Sequence, residues 1–375
     1  MQKAKTFIKK EAMLVVSLVA ALVSLFITPP SKSLLTSIDW KTLATLFMLL
    51  SVLDGFKHEN LFRPLINLAG RIKSQLGLSF FLIFSVFFSS MFVTNDVSLI
   101  IFVPLTILLF KAGKKEKYTI PVLVMENIAA VRGSLLTPFG SPQNLFLYSK
   151  SGIDSLSFLL MMLPLWLMSI VLLSVFIFIM HRKNIHEKVE VFNARSQECE
   201  KPEKKKQIVY LLLFAVVLAT IVTRTTLWPY ITLFVALMLL VFDRKVFLRV
   251  DYALLATFLC FFVFSSSLSA NPSISAFLQK SVANHEYVWS ILLSQVISNV
   301  PASIVLWPFT ANLKALIYGL DTAGLVTVIG SLASVINIRL YTKEYPGNGI
   351  KFMKVFEIIS LAFFAIVVFV QLLFI

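Results

Sequence analysis

"MFVTNDVSLIIFVPLT", residues 91–106, places Thr94, Asn95 and Asp96 in the middle of a long apolar run. Asp96 is the only charged residue between Lys73 and Lys111. As one straight helix, the 37 positions 74–110 would reach about 55 Å at ~1.5 Å per residue. A bilayer core is only about 30 Å thick. Lysines flank both ends, which puts both on one side and excludes an odd number of crossings. Two full crossings would take about 40 residues plus a turn. The run therefore reads as a re-entrant helical hairpin that turns at Thr94-Asn95-Asp96. Irregular backbone at membrane depth is tolerated only where it is buried in protein or lines a wet cavity.

The composition around this stretch fits a membrane protein. The chain is 58% hydrophobic with 35 Phe, and only 14% of its residues are charged, against roughly 25% in soluble domains. Further apolar spans lie near 12–28, 42–54, 118–137, 154–180, 207–223, 228–242, 251–266, 322–341 and 353–375. The first span follows Lys3, Lys5, Lys9 and Lys10 and lacks a small-residue cleavage site, so it reads as a retained helix. Segment 59–72 reads as an interfacial helix. The net charge of +15 does not call for nucleic acid, because Lys and Arg concentrate in cytoplasmic loops. Placing the N-terminus and the clusters near 57–73, 111–117, 181–206, 244–249 and 343–354 inside accounts for 26 of the 34 basic residues. This orientation leaves the C-terminus outside, in a plasma (inner) membrane.

A second uncharged run, between Glu286 and Lys314, reads "SQVISNVPASI" at 294–304. Both of its ends fall outside, so Ser298-Asn299-Val300-Pro301 is a second buried turn, reached from the other face. Each hairpin precedes a segment interrupted at small residues, "LTPFGSPQNL" (136–145) and "VTVIGSLASV" (326–335). Asn95 matches Asn299, and Gly140-Ser141 matches Gly330-Ser331. The fold expected is all-α and polytopic, an inverted-topology repeat with two re-entrant hairpins and two discontinuous transmembrane helices. The first repeat spans 1–180, with its hairpin at 74–110 and its broken helix at 118–150. A basic linker follows at 181–206, then an extra crossing at 207–226. The second repeat spans 227–375, with its hairpin at 287–313 and its broken helix at 321–341. Matched discontinuous helices point to a transport site at mid-membrane.

Those four motifs, beginning with "TNDVSLIIFVPL" (94–105) and "SNVPASI" (298–304), resemble the ion transporter superfamily of arsenite-efflux permeases, citrate and dicarboxylate transporters, and sodium–proton antiporters of the same fold. The resemblance covers about 40–375. It implies an elevator-like transport domain of hairpins and interrupted helices, and a scaffold that forms a homodimer. Dicarboxylate members carry Ser-Asn-Thr at both tips. This chain carries Thr94-Asn95-Asp96 and Ser298-Asn299-Val300, so the sodium-site hydroxyl set is incomplete. Asp after the first Asn resembles the arsenite-permease branch, where proton coupling is expected.

The candidate substrate- and ion-binding residues are Thr94, Asn95, Asp96, Arg132, Thr137, Gly140, Ser141, Asn144, Ser298, Asn299, Gly330 and Ser331. The amides of Asn95 and Asn299 can replace a hydration shell, including that of Na+, or merely cap their turns. A carboxylate at membrane depth, such as Asp96, is by default a functional candidate. It would exchange a proton or bind a cation, or else pair with Arg132. Arg132 suits an anion through its planar fork, or locks Asp96 or Glu126. Glu126 reads as a solvated residue near the cytoplasmic mouth. The half-helix starting near Ser141–Asn144 would turn its positive end toward an anion.

The chain has no nucleotide loop, catalytic triad or zinc motif, and it offers one deep Asp and no deep His. It is therefore not an enzyme and needs no cofactor beyond a coupling ion, H+ or Na+. The reading is a secondary transporter of a small inorganic or carboxylate anion. A sodium–proton antiporter and a non-transporting membrane receptor or scaffold are the alternatives.

Overall fold

A computed structural model describes residues 12–29, 38–61, 64, 68–69, 71–184, 187–188 and 203–373. The N-terminal lysines Lys3 to Lys10, residues 62–63, 65–67 and 70 of segment 59–72 with Arg63, and linker residues 189–202 with Cys199 lie outside the described residues. Within them the chain forms helices and no strand; one isolated bridge joins Ser74 and Lys188. In chain order these are α1 Ala12–Ile27, α2 Trp40–His58, α3 Gln75–Val93, α4 Asn95–Ala112, α5 Thr119–Gly133, α6 Pro142–Ser151, α7 Ser155–His181 and α8 Lys204–Thr223. Then follow α9 Trp228–Asp243, α10 Tyr252–Ala270, α11 Pro272–Val282, α12 Glu286–Ile297, α13 Asn299–Leu306, α14 Leu313–Ala323, α15 Leu332–Glu344 and α16 Gly349–Gln371.

Among the described residues, seven helical segments are long and apolar enough to cross a membrane. The shorter helix α9 shows what the surface of the bundle offers. On α9 only Val235 and Leu239 are buried, while Tyr230, Leu233, Phe234, Leu237, Leu240 and Val241 are exposed. Such a face is stable against lipid and not against water.

The two hairpins are built alike and differ in length. The first has arms α3 and α4 of 19 and 18 residues. Each is about 28 Å long at ~1.5 Å per residue, as long as a spanning helix. The second has arms α12 and α13 of 12 and 8 residues. At about 18 and 12 Å, neither crosses a bilayer core. The second interrupted helix starts at Leu313, earlier than 321, because the uncharged run 315–320 continues the hydropathy of the hairpin and hides the junction. The first is interrupted between α5 and α6, with a 3₁₀ turn at Ser134–Leu136.

Each hairpin docks on its own interrupted helix through a glycine. A Cβ on Gly133 of α5 would lie 2.0 Å from the Phe87 carbonyl oxygen of α3. One on Gly319 of α14 would lie 2.5 Å from the Tyr287 carbonyl oxygen of α12. The return arms then cross over: α4 packs on α15, and α13 packs on α6. Each hairpin thus contacts both interrupted helical segments. The first sits in an apolar cluster built around α3, α4, α5 and α16, the second in one shared with α2, α8 and α10.

Ionic contacts gather at the helix ends. At one end Lys150 pairs with Asp39 at 3.4 Å, and Lys41 donates to the Arg224 carbonyl at 3.0 Å. At the opposite ends Arg249 joins Asp54 (2.6 Å) and Asp243 (2.7 Å), Lys111 meets Glu344 (2.8 Å), and Lys115 meets Glu187 (2.7 Å).

Candidate functional site

The hairpin tips are single residues held at positive φ. Thr94 has φ 67 and ψ 155, and Ser298 has φ 70 and ψ 158. This region is essentially reserved for glycine. Both side chains are buried, as are those of Asn95 and Asn299, which begin the return arms. Asn95 turns its Oδ1 onto the amide of Asp96 (2.9 Å), and its own N–H donates to the Gly140 carbonyl (3.2 Å). Asn299 donates its side-chain amide to the Leu320 carbonyl (3.4 Å). Asn95 thus ties its tip to the interruption between α5 and α6, while Asn299 ties its tip to the last turn of α14, just before the second interruption.

The interruptions also match. Thr137 and Gly140 close a short turn, Gly140 N–H to Thr137 carbonyl at 3.3 Å; Thr327 and Gly330 do the same at 3.2 Å. The Thr137 hydroxyl donates to the Met91 carbonyl near the end of α3. The Thr327 hydroxyl donates to Gln295 near the end of α12 (2.7 Å). A Cβ on Gly140 would collide with the Ser134 carbonyl, and one on Gly330 with that of Ala323. Glycine is required at both by this close approach. Ser141 caps α6, accepting from the Asn144 N–H (3.4 Å), with Pro142 at the first helical position. Ser331 precedes α15 without a side-chain capping bond.

The two interrupted segments meet at Asp321, a residue the sequence reading passes over. It is buried on α14, accepting from Gln143 Nε2 (3.2 Å) and Asn144 Nδ2 (3.4 Å) at the start of α6. A continuous path runs from Asn95 through Gly140, Gln143, Asn144, Asp321 and Leu320 to Asn299. Asp321 carries the same signal as Asp96, the only charge between Lys314 and Arg339. It lies at the edge of the apolar span 322–341, where a charge reads as a boundary and not as a buried group.

Arg132 is fully buried at the end of α5. Its Nε donates to Ser169 of α7 (3.0 Å), and both terminal nitrogens lack a partner. Its charge is felt at Asp321, Tyr287 and Tyr318, and it forms no ion pair with Asp321. Nor does it pair with Asp96, which is half-buried at the tip with Oδ1 unpartnered. Other unpartnered polar atoms here are Gln143 Oε1, Asn144 Oδ1 and the Ser298 hydroxyl. Unpaired buried donors and acceptors each cost about 1–3 kcal/mol unless a ligand or water meets them.

Glu126 is not solvated. It is fully buried in α5 and takes a hydrogen bond from Thr106 of α4. Beside it Asn127 donates to Ser334 (3.0 Å), and Asn337 donates to the Leu123 carbonyl (2.6 Å), fastening α5 to α15. On the side of Lys150, a cavity of about 290 Å³ lies between α10 and the second hairpin, lined by Lys150, Phe262, Ser265, Ile304 and Trp307 among others.

Compared with known proteins, residues 6–330 match the family model described as citrate transporter. The chain is 32% identical over 329 residues to Inner membrane protein YbiR of Escherichia coli (strain K12), across 84% of each chain. It is 31% identical over 304 residues to Uncharacterized transporter MJ0456 of Methanocaldococcus jannaschii, across 81% of each.

Proposed function

Since this chain belongs to the citrate transporter family, and so is an integral membrane transporter and not an enzyme, we propose that it moves a small carboxylate or oxyanion by ion-coupled alternating access. The single observation that carries the anion reading is Arg132. A guanidinium buried among apolar helices, with both terminal nitrogens unpartnered, costs several kcal/mol unless a counter-charge visits. Its fork matches a carboxylate or a tetrahedral oxyanion. The family description adds weight to a carboxylate.

The lengths of α12 and α13 support a second hairpin that enters from one face and returns to it. The matched tip geometry and the crossed packing support a first hairpin of the same kind from the opposite face. In this reading the hairpins and interrupted helices travel together against α2, α8, α9 and α10, as an elevator in a homodimeric scaffold. The cavity beside Lys150, between α10 and the second hairpin, supports an opening on the outer face in this reading. The basic helix ends support an N-terminus in the cytoplasm and a place in the inner membrane.

A sodium–proton antiporter is the second reading, favoured by the unpartnered Oδ1 of Asp96 at the tip. Proteoliposomes loaded under separate pH and sodium gradients, with labelled citrate, succinate, phosphate or arsenite outside, test both. Anion uptake by the wild type that vanishes in Arg132→Ala supports the anion carrier. Sodium–proton exchange that survives Arg132→Ala, with no anion flux in either protein, supports the antiporter.

A further inference from the structure

The junction of the two repeats holds a carboxylate, a guanidinium and two primary amides, each in a telling state. Asp321 faces the charge of Arg132 without touching it. While Asp321 is negative, it opposes the field that Arg132 offers to an anion. Gln143 and Asn144 turn their N–H groups to Asp321 and leave their carbonyl oxygens buried and unpartnered. A primary amide presents either a donor or an acceptor by turning half-way round. With N–H groups inward, the pair suits an ionised carboxylate. With carbonyls inward, it suits a carboxylate that holds a positive charge, because those oxygens then accept from a carboxylic O–H or ligate a metal ion.

We propose that Asp321, shelled by Gln143 and Asn144, is the coupling site of the transporter: a monovalent positive charge, proton or sodium ion, neutralises it and so admits the anion to Arg132. The proposal rests on the anion-carrier reading and names the ion site within it. Linkage makes the effect reciprocal, so the anion in turn tightens binding of the cation. Cation and anion load together, which makes the carrier a symporter. Asp96 is less enclosed: it is half-buried at the first tip, and its Oδ1 has no amide turned to it.

The groups around Asp321 leave this role to it alone. Tyr287 of α12 donates to Gln371 (2.6 Å), and Tyr318 of α14 donates to the Met161 carbonyl (2.7 Å). Lys150, Glu286 and Lys314 sit toward the ends of the packed helices, and Glu357 of α16 is exposed.

The test uses the purified full chain. Without any anion, exchanging choline for sodium, or lowering the pH from 8 to 5.5, should move the melting midpoint of the wild type by an amount that Asp321→Asn lacks. The arm that responds identifies the ion. With citrate as probe, the wild-type apparent affinity should rise by ~10-fold or more when that ion is supplied. D321N should bind citrate independently of the ion, retaining citrate–citrate exchange across proteoliposomes but not accumulation driven by a gradient. Asp321→Glu should restore ion dependence. Should D321N fail to reach the membrane, Asn144→Leu reads the same site: ion dependence displaced to ~10-fold higher concentration supports it, and unchanged dependence overturns it. The proposal also falls if D321N and wild type respond equally to both ions, or if Asp96→Asn loses the dependence that D321N keeps. Absence of any citrate response in the wild type would count against the anion carrier, while the anion-free readout still judges Asp321.

Discussion

Thr94 and Ser298 hold the same backbone conformation, φ 67 and ψ 155 against φ 70 and ψ 158, at the tips of two hairpins with unlike arms. Neither hydroxyl makes a capping bond, and that of Ser298 has no partner at all. A non-glycine residue there costs of order 1–3 kcal/mol. Glycine would relieve that strain, less about 0.5–1 kcal/mol of added unfolded-state entropy. Ser298→Gly should therefore leave the melting midpoint unchanged or raise it, while slowing transport. A lower midpoint would show that the hydroxyl is structural and that the strain serves no ligand.

Gly133 and Gly319 set how closely each hairpin seats on its interrupted helix. A methyl group at either would lie within 2.5 Å of a backbone carbonyl, which no rotamer change can relieve. Gly133→Ala and Gly319→Ala should each destabilise by roughly 2–3 kcal/mol or more. Gly152, with no neighbour within 4 Å and φ 72, should lose only about 1 kcal/mol on substitution by alanine. Thermal unfolding of the three variants in one detergent checks the order. Equal losses at all three would mean that the helix pairs have slack that the packing does not show.

Outside the membrane, Glu187 gathers Lys115, Tyr118 and Lys117 at 2.7, 2.7 and 3.3 Å and pins the segment after α7 to the start of the first hairpin, its carbonyl accepting from Gln75 N–H. The hydrogen bond from Lys115, then that from Tyr118, holds its carboxyl down to about 2 from an ordinary 4.5. A group depressed on folding contributes stability that is complete above 4.5 and fades as pH falls toward 2. Wild type should lose stability through that window more steeply than Glu187→Gln. Parallel curves for the two proteins would remove the linkage.

What the sequence made legible follows from where its charges lie. Asp96 stood out because charge vanishes for a long way on either side, and both tips were found from Asn95 and Asn299. Gly140 and Gly330 marked the interruptions. Periodicity could not mark the start of α14, because an apolar half-helix that follows an apolar half-hairpin changes nothing in hydropathy. The partnership of Asp321 with Gln143 and Asn144 was also out of reach, since it joins residues 177 and 178 positions apart. Glu126 misled for a related reason: a carboxylate near a run of lysines looks solvated, and only packing of α4 on α5 buries it.

Glu126 gives the last prediction. Its carboxyl is fully buried with one hydroxyl partner, Thr106, and its second oxygen has none. Among the described residues no cationic side chain pairs with it. Burying an unpaired carboxylate is expensive, and the expense grows when its one donor is removed. Thr106→Val keeps the shape and deletes that donor, so it should destabilise by about 1–3 kcal/mol. Glu126→Gln keeps the volume, removes the charge and lets the Thr106 hydroxyl go on donating to an oxygen, so it should stay within about 1 kcal/mol of wild type. In the double variant the cost of Thr106→Val should shrink, because a neutral amide needs its donor less than a carboxylate does. A double-mutant cycle on thermal stability reads this coupling directly. If the two changes simply add, Thr106 and Glu126 do not act as a pair, and the carboxyl is satisfied by something other than that hydroxyl.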